Sequence, residues 1–533
     1  MQGGRRLKKR LFAVLLLIML IGVVAGCGGG GEGTAEKDTI VVGLQAEPVT
    51  LDPAQMTDFN STRGGREIYD SLIEFKDGST ELEPGLAESW EVSENGLEYT
   101  FHLRQGVKFH DGTPFNADAV KFSIDRQIDP NHPYHDTGEF AYADFTFGMV
   151  KEVQVVDEYT VKIILEEPFA PFLANMAMHS ACIVSPEAVK EYGKDFTLNP
   201  VGTGPFKFVS WDPGVEIILE ANEEYWNGAP AVKKLVFRPI VEDQTRLTEL
   251  EAGNIDFMVG ILPDDLQRVK DNDQLQVIEQ PGMHTWYLVM NNQKPPFNDV
   301  RVRQAINYAI DKQGIVDNIL QGTGVLAKNM LPPVIWSYTE DLHDYSYNPE
   351  KAKELLAEAG LTDGVVEIEF FVPESGSGMQ QPVAMATAIQ SDLEAVGIKT
   401  KIQQLEWGTY LDKVFQPVDQ NEIILHEMSW MGDNGDPDNF LYILCSGKQW
   451  PPSGFNEAFY KNEEVDALLD EARKISDQEE RTKLYEQAQK LIAEDTPYCV
   501  IDHETQIVAM KKNIKGFTLH PTGPFRFDKV TIE

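Results

Sequence analysis

Cysteine is scarce in this chain, four in 533 residues, and histidine is nearly as rare, with ten. Three of the cysteines, Cys182, Cys445 and Cys499, lie far apart in the body of the sequence. An odd number so spaced allows at most one disulfide, and buried structural thiols are the expectation. No CxxC spacing points to a zinc or redox site. "NHPYHD" offers His132 and His135, but without further ligands the pair reads as loop, so no metal is expected. Basic residues are outnumbered, 46 Lys and Arg against 85 Asp and Glu, a formal net charge of −39. That balance argues against nucleic acid as a partner and against a broad electrostatic hold on anionic lipid. The motifs of catalysis are missing as well: no GxSxG, no GxxxxGK[ST], no GxGxxG and no HExxH occur. Catalysis therefore has no positive support in the motifs, and no cofactor is expected.

Long apolar runs are also few, and the clearest stands at the N-terminus. A basic head (Arg5, Arg6, Lys8, Lys9, Arg10) precedes an uncharged stretch from Leu11 to about Val24, then small residues ending in Cys27. The run is short for a membrane span and has the layout of a secretory signal, residues 1–26. A cysteine directly after "VAG" resembles a lipobox, which implies Cys27 as a lipid-modified first residue of the mature chain. The glycine-rich "GGGGEGTAEKD" beyond it reads as a tether over 27–38, with a reach on the order of 15–20 Å for about ten such residues.

What is present is a mixed body of strands and helices. "TIVVGLQ" predicts a strand at Thr39–Gln45, and "GPFKFVSWDPGVEIILEAN" two strands turned at Asp212-Pro213-Gly214. A helix is expected after Asn116. "NPEKAKELLAEAG" carries its own limits: Asn348 as N-cap, Pro349 in the first turn and Gly360 past the end. Another helix runs from near Pro382 to Gly397 and leads into a strand at Lys399–Leu405, the alternation of an α/β lobe. A helix pair follows near the C-terminus, and then the strand "YCVIDHETQIVAM". Length suggests two to four domains.

"HEMSWMGDNGDPDNFLY", His426–Tyr442, sets Asp433, Asp436 and Asp438 beside Trp430 and Met431. Asn-Gly followed by Asp-Pro is turn chemistry, and the spacing does not fit a calcium loop. The segments "PGLAESWEVSENGLEYTFHLRQGVKFHDGTPFNADAVKFS", "NPVGTGPFKF", "YLVMNNQKPPFNDVRVRQAINYAIDK", "GTGVLAKNMLPPVIWSY", "YNPEKAKELLAEAG" and "WMGDNGDPDNF" occur in one order. That order resembles the bacterial extracellular solute-binding proteins of family 5, and within it the dipeptide-binding members, from about Thr39 to Glu533.

The resemblance implies an α/β fold, a two-lobed periplasmic-binding-protein type II clamshell with an extra inserted domain. Its implied limits are 39–80, 200–281 and 506–533 for lobe I, 81–199 for the accessory domain and 282–505 for lobe II. It implies a monomer that captures a peptide or peptide-like solute, hands it to an ABC permease and ATPase complex, and is held to the membrane only by lipid on Cys27. Asp433 then corresponds to the carboxylate that meets a peptide's α-ammonium, with Gly432 beside it and Trp430 and Trp407 lining the pocket. The arginine that clamps the ligand carboxylate in relatives falls on Gly376, which leaves open Arg63, Arg66, or the hydroxyls and amides around Ser375 and Ser377 as its replacement. Phe459 occupies the place of a relative's second cysteine, so no disulfide is carried over to Cys445. Nickel complexes, haem, glutathione and opine-like compounds stay open as ligands, and an extracellular peptide hydrolase or a sensory or adhesion protein as other classes.

Overall fold

In the computed structural model, which describes residues 38–361, 366–374 and 379–533, eleven strands among the described residues form one mixed sheet. Two of them are unusually long. Leu275–Met290 and Tyr498–Lys511 lie antiparallel at its centre, paired from Leu275 opposite Lys511 to Val289 opposite Tyr498. On one side follow Phe257–Val259, Thr39–Leu44, Lys234–Pro239, Glu216–Ala221 and Phe206–Asp212, on the other Leu425–Met431, Val366–Pro373 and Ile398–Leu405, and the eleventh, Gly324–Leu326, pairs with Tyr498–Lys511 off this row.

The two long strands therefore run through two regions of core. Near Leu275 the pair joins a core built on Ile40, Leu219, Phe257, Val508 and Phe525 and a smaller one on Leu250 and Met258. Near Met290 both faces are covered: Trp286, Leu288 and Met290 pack with Ile306, Phe370 and Ile389, and Tyr287 and Val289 with Met428, Phe440 and Tyr485. Side chains alternate across a strand, so a continuous apolar run such as "WYLVM", Trp286–Met290, suits a strand buried on both faces. Between the two regions the register slips, between Pro281 and Thr285 and again after Trp286. An irregular ladder at the crossing is where two lobes can bend relative to each other.

A separate four-stranded sheet, Ala87–Val92, Glu98–Leu103, Thr160–Leu165 and Val150–Asp157, packs with the helix Ala117–Ile128 around Phe101, Ile124, Val161 and Phe172. This unit also reaches the second lobe, where the amide of Ala170 donates to the Arg473 carbonyl at 2.6 Å.

The local expectations hold where they rest on caps and turns. Asn116 accepts from the Ala119 amide at 3.1 Å and Asn348 from the Lys351 amide at 3.0 Å. The helix Pro349–Glu358 is followed by Gly360 in the left-handed region, φ 86°, and Pro382–Ala395 by Gly397, φ 95°. Cys182, Cys445 and Cys499 are buried and free. His135 faces the Arg126 carbonyl at 3.0 Å, and among the described residues no cluster of metal-ligating side chains occurs. The signal, Cys27 and the tether up to residue 37 lie outside the described residues, and among the described ones no helix is long and apolar enough to cross a membrane.

Candidate functional site

Leu425–Met431 pairs with the first long strand so that Met431 lies opposite His284. One further bond, from the Gly432 amide to the Met283 carbonyl at 3.1 Å, continues the ladder past the strand end. A β-carbon on Gly432 would stand 2.4 Å from the Phe440 ring, so glycine permits the close approach that delivers Asp433 to the cleft. Asn434 then bonds across to Asn175 of the inserted domain at 2.7 Å, and Gly435 turns back with φ 68° against Thr80.

The three aspartates have three environments. Asp436 is 4% exposed and makes a bidentate pair with Arg481, at 2.7 and 2.9 Å. Asp438, also buried, lies 3.2 Å from the Arg473 guanidinium, which sits over the Tyr442 ring. The turn therefore buries both carboxylates, against counter-charges from Arg481 and Arg473 far along the chain. Asp433 alone faces the cavity, with Tyr142 from the inserted domain donating at 3.5 Å and, among the described residues, no cation at ion-pair distance. Burial pushes its carboxyl up to about 6, against the pull of His284 and the Tyr142 hydroxyl.

The cavity measures about 370 Å³ and takes its walls from both lobes and the inserted domain. Trp430 and Trp407 line it. The Trp430 indole is fixed by donation to the Asn439 carbonyl and side-chain oxygens at 2.8 and 2.9 Å, and Trp407 stacks on Tyr410. His284, Tyr142, Phe455 and Glu457 also line it, and sequence reasoning missed them as site residues. They sit in segments with no motif of their own, brought to the cleft by pairing and by loop packing.

Of the proposed carboxylate anchors, Arg66 is committed elsewhere. It borders the cavity, but its guanidinium donates to the Tyr69 carbonyl at 2.6 Å and to Glu74 at 2.5 Å. Arg526, another wall residue, has Glu74, Asp528 and Asp70 within 4.0 Å. Arg63 lines a neighbouring cavity of about 360 Å³ that shares His284 and Phe59 with the first. Its guanidinium lies between the Phe59 and Phe525 rings, at 4.9 and 5.0 Å, and among the described residues gives one hydrogen bond, to the Gly523 carbonyl at 3.3 Å. Burial lowers it to about 10, and Glu504 raises it. Ser375, Gly376 and Ser377 lie outside the described residues.

A two-lobed α/β body with an inserted domain, two crossing strands and a cavity walled by all three parts defines a type II periplasmic-binding-protein clamshell. A model of the bacterial extracellular solute-binding proteins, family 5 (middle part), matches residues 81–452, and the chain belongs to that family. It is 39% identical to a protein of Haemophilus influenzae named heme-binding protein A, over 98% of this chain and all of that one. It is 38% identical to the dipeptide-binding protein of Escherichia coli, over 94% and 96%. The solved structure of an ABC transporter-associated periplasmic binding protein from Helicobacter pylori, in complex with the peptide STSA, superimposes with a TM-score of 0.78 at 36% identity, covering 93% of this chain and 98% of that one.

Proposed function

We propose that this protein captures short peptides for an ABC importer, with the ligand's α-ammonium on Asp433. The observation that carries the reading is a half-buried carboxylate that meets no cation among the described residues, aimed into a cavity of ligand size, while the other two aspartates of its turn, Asp436 and Asp438, have arginine partners. Two relatives named or solved as peptide binders support it. Between Trp407 and Trp430 the peptide backbone is held in extended form, and its carboxylate goes toward Arg63 or the segment around Ser375 and Ser377. Lobe I comprises 39–80, 200–281 and 506–533, the accessory domain 81–199 and lobe II 282–505; the cores support this division in outline, while Cys182, Val184, Ala188, Val189 and Phe196 pack with the lobe I core and Leu72 and Ile73 with the accessory one. Cys27 carries the lipid that holds the monomer to the membrane, outside the cytoplasm, beside the permease and ATPase.

A second reading, haem as cargo, is favoured by one observation besides the relative's name. His284 lines the cavity with Nδ1 at 2.5 Å from Glu504, the carboxylate support that metal-ligating histidines commonly have.

Mass spectrometry and visible absorption of the natively purified protein separate the two. Bound peptides are expected, and a Soret band without peptides would sink the peptide reading. Thermal unfolding with a dipeptide at 100 times its Kd should show a stabilisation of about 2.7 kcal/mol. Asp433→Ala should abolish it, and intact peptides after prolonged incubation would dismiss a hydrolase.

A further inference from the structure

Behind the two cavity tryptophans lies a second acid. Trp407, Leu411 and Phe415, from the helix Trp407–Val414 and its end, face Met428 and Trp430 of the strand and Phe455 of the following loop, and all six line the cavity. The rings touch in series: Trp430 to Phe455 at 5.1 Å and Phe455 to Phe415 at 5.6 Å. Glu457, two residues past Phe455, borders the same cavity while only 3% exposed. One of its oxygens accepts from the Tyr287 hydroxyl at 3.1 Å, and the other has no hydrogen-bond partner among the described residues.

Such a group is expensive to keep. A buried carboxyl oxygen left unsatisfied carries its full desolvation penalty, and an apolar residue there would avoid it. The titratable groups around it are Tyr287 and Tyr498 of the long strands, Tyr410, Cys445 and Glu427, and none is a cation. Glu427 is itself fully buried, with both carboxyl oxygens unpaired among the described residues, and the base beside it, His426 at 3.0 Å from the Tyr410 hydroxyl, is lowered by burial to about 3 and so stays uncharged.

Resting on the peptide reading above, we infer that this aromatic pocket is a side-chain subsite for a basic residue of the ligand, whose hydrocarbon stem packs on the rings while its cation reaches Glu457. A lysine or arginine side chain has the required form, an apolar stem with a charged tip. The rings add an attraction for the cation in passing. The site differs from Asp433, which any α-ammonium satisfies. Burial pushes the Glu457 carboxyl up to about 8, so entry of the cation expels a proton that an apolar side chain leaves in place.

Calorimetry on the full protein with Ala-Lys, Lys-Ala and their norleucine counterparts, plus Ala-Ala, tests this. Norleucine keeps the stem and lacks the ammonium. At least one lysine peptide should bind about tenfold or more tighter than its norleucine partner, the gain of a single charge-assisted hydrogen bond. In buffers of different ionisation enthalpy at pH 7, that peptide should release about one more proton than norleucine. Glu457→Gln should bring the ratio of the two affinities close to one. Peptides that all bind with equal affinity for lysine and norleucine overturn the subsite alone. Failure of every peptide, Ala-Ala included, overturns the peptide reading and the subsite with it. The wild-type ratio decides even where the variant does not fold.

Discussion

Asp436 and Arg481, 45 residues apart, close on each other through two parallel bonds of 2.7 and 2.9 Å, while Asp433, three residues before Asp436, meets no cation among the described residues. The pair anchors the turn to the helix Gln478–Asp495 and lets Asp433 project from a fixed base. Removing one member of a buried pair strands the other's charge. Arg481→Ala is expected to lower stability by about 3–5 kcal/mol in urea unfolding, and a loss below about 1 kcal/mol would show that the pair does not fix the turn.

The shift of Asp433 to about 6 sets a pH window. Its folded pKa lies above the ordinary aspartate value, so its effect on the empty protein favours folding below about pH 4 and is lost as pH rises through about 6. For an ammonium ligand the sign reverses, because binding needs the ionised form. Above pH 6 affinity should be level, and below it Kd should rise by up to about tenfold per pH unit. A binding curve flat from pH 7 to pH 5 would remove the ammonium from Asp433.

Arg63 and Arg66 make opposite predictions. Arg66 serves Glu74 and the Tyr69 carbonyl, so Arg66→Ala should cost stability chiefly, visible as a lower Tm without ligand. Arg63→Ala should leave a protein that no longer distinguishes a peptide with a free carboxylate from its C-terminal amide. Calorimetry with the two peptide forms decides, and discrimination surviving in Arg63→Ala would assign the carboxylate to the segment around Ser375 and Ser377.

Gly432→Ala tests the approach of Asp433 to the cleft. The added methyl would meet the Phe440 ring at 2.4 Å, and Phe440 is fully buried and unable to yield cheaply. Binding should weaken by at least about tenfold, with a stability loss of about 1–3 kcal/mol. Unchanged calorimetric binding would mean that the strand end tolerates a shift.

The local grammar was plain in the sequence: caps at Asn116 and Asn348, stops at Gly360 and Gly397, and the hairpin turned at Gly214. These follow from contacts between near neighbours, where residue type alone limits the backbone. The arginines on Asp436 and Asp438, the commitment of Arg66 to Glu74, and the entry of His284, Tyr142 and Glu457 into one cavity came only with tertiary structure. Each depends on which distant strand or helix arrives beside a side chain, and charge and burial, unlike a cap, have no meaning until that neighbour is in place.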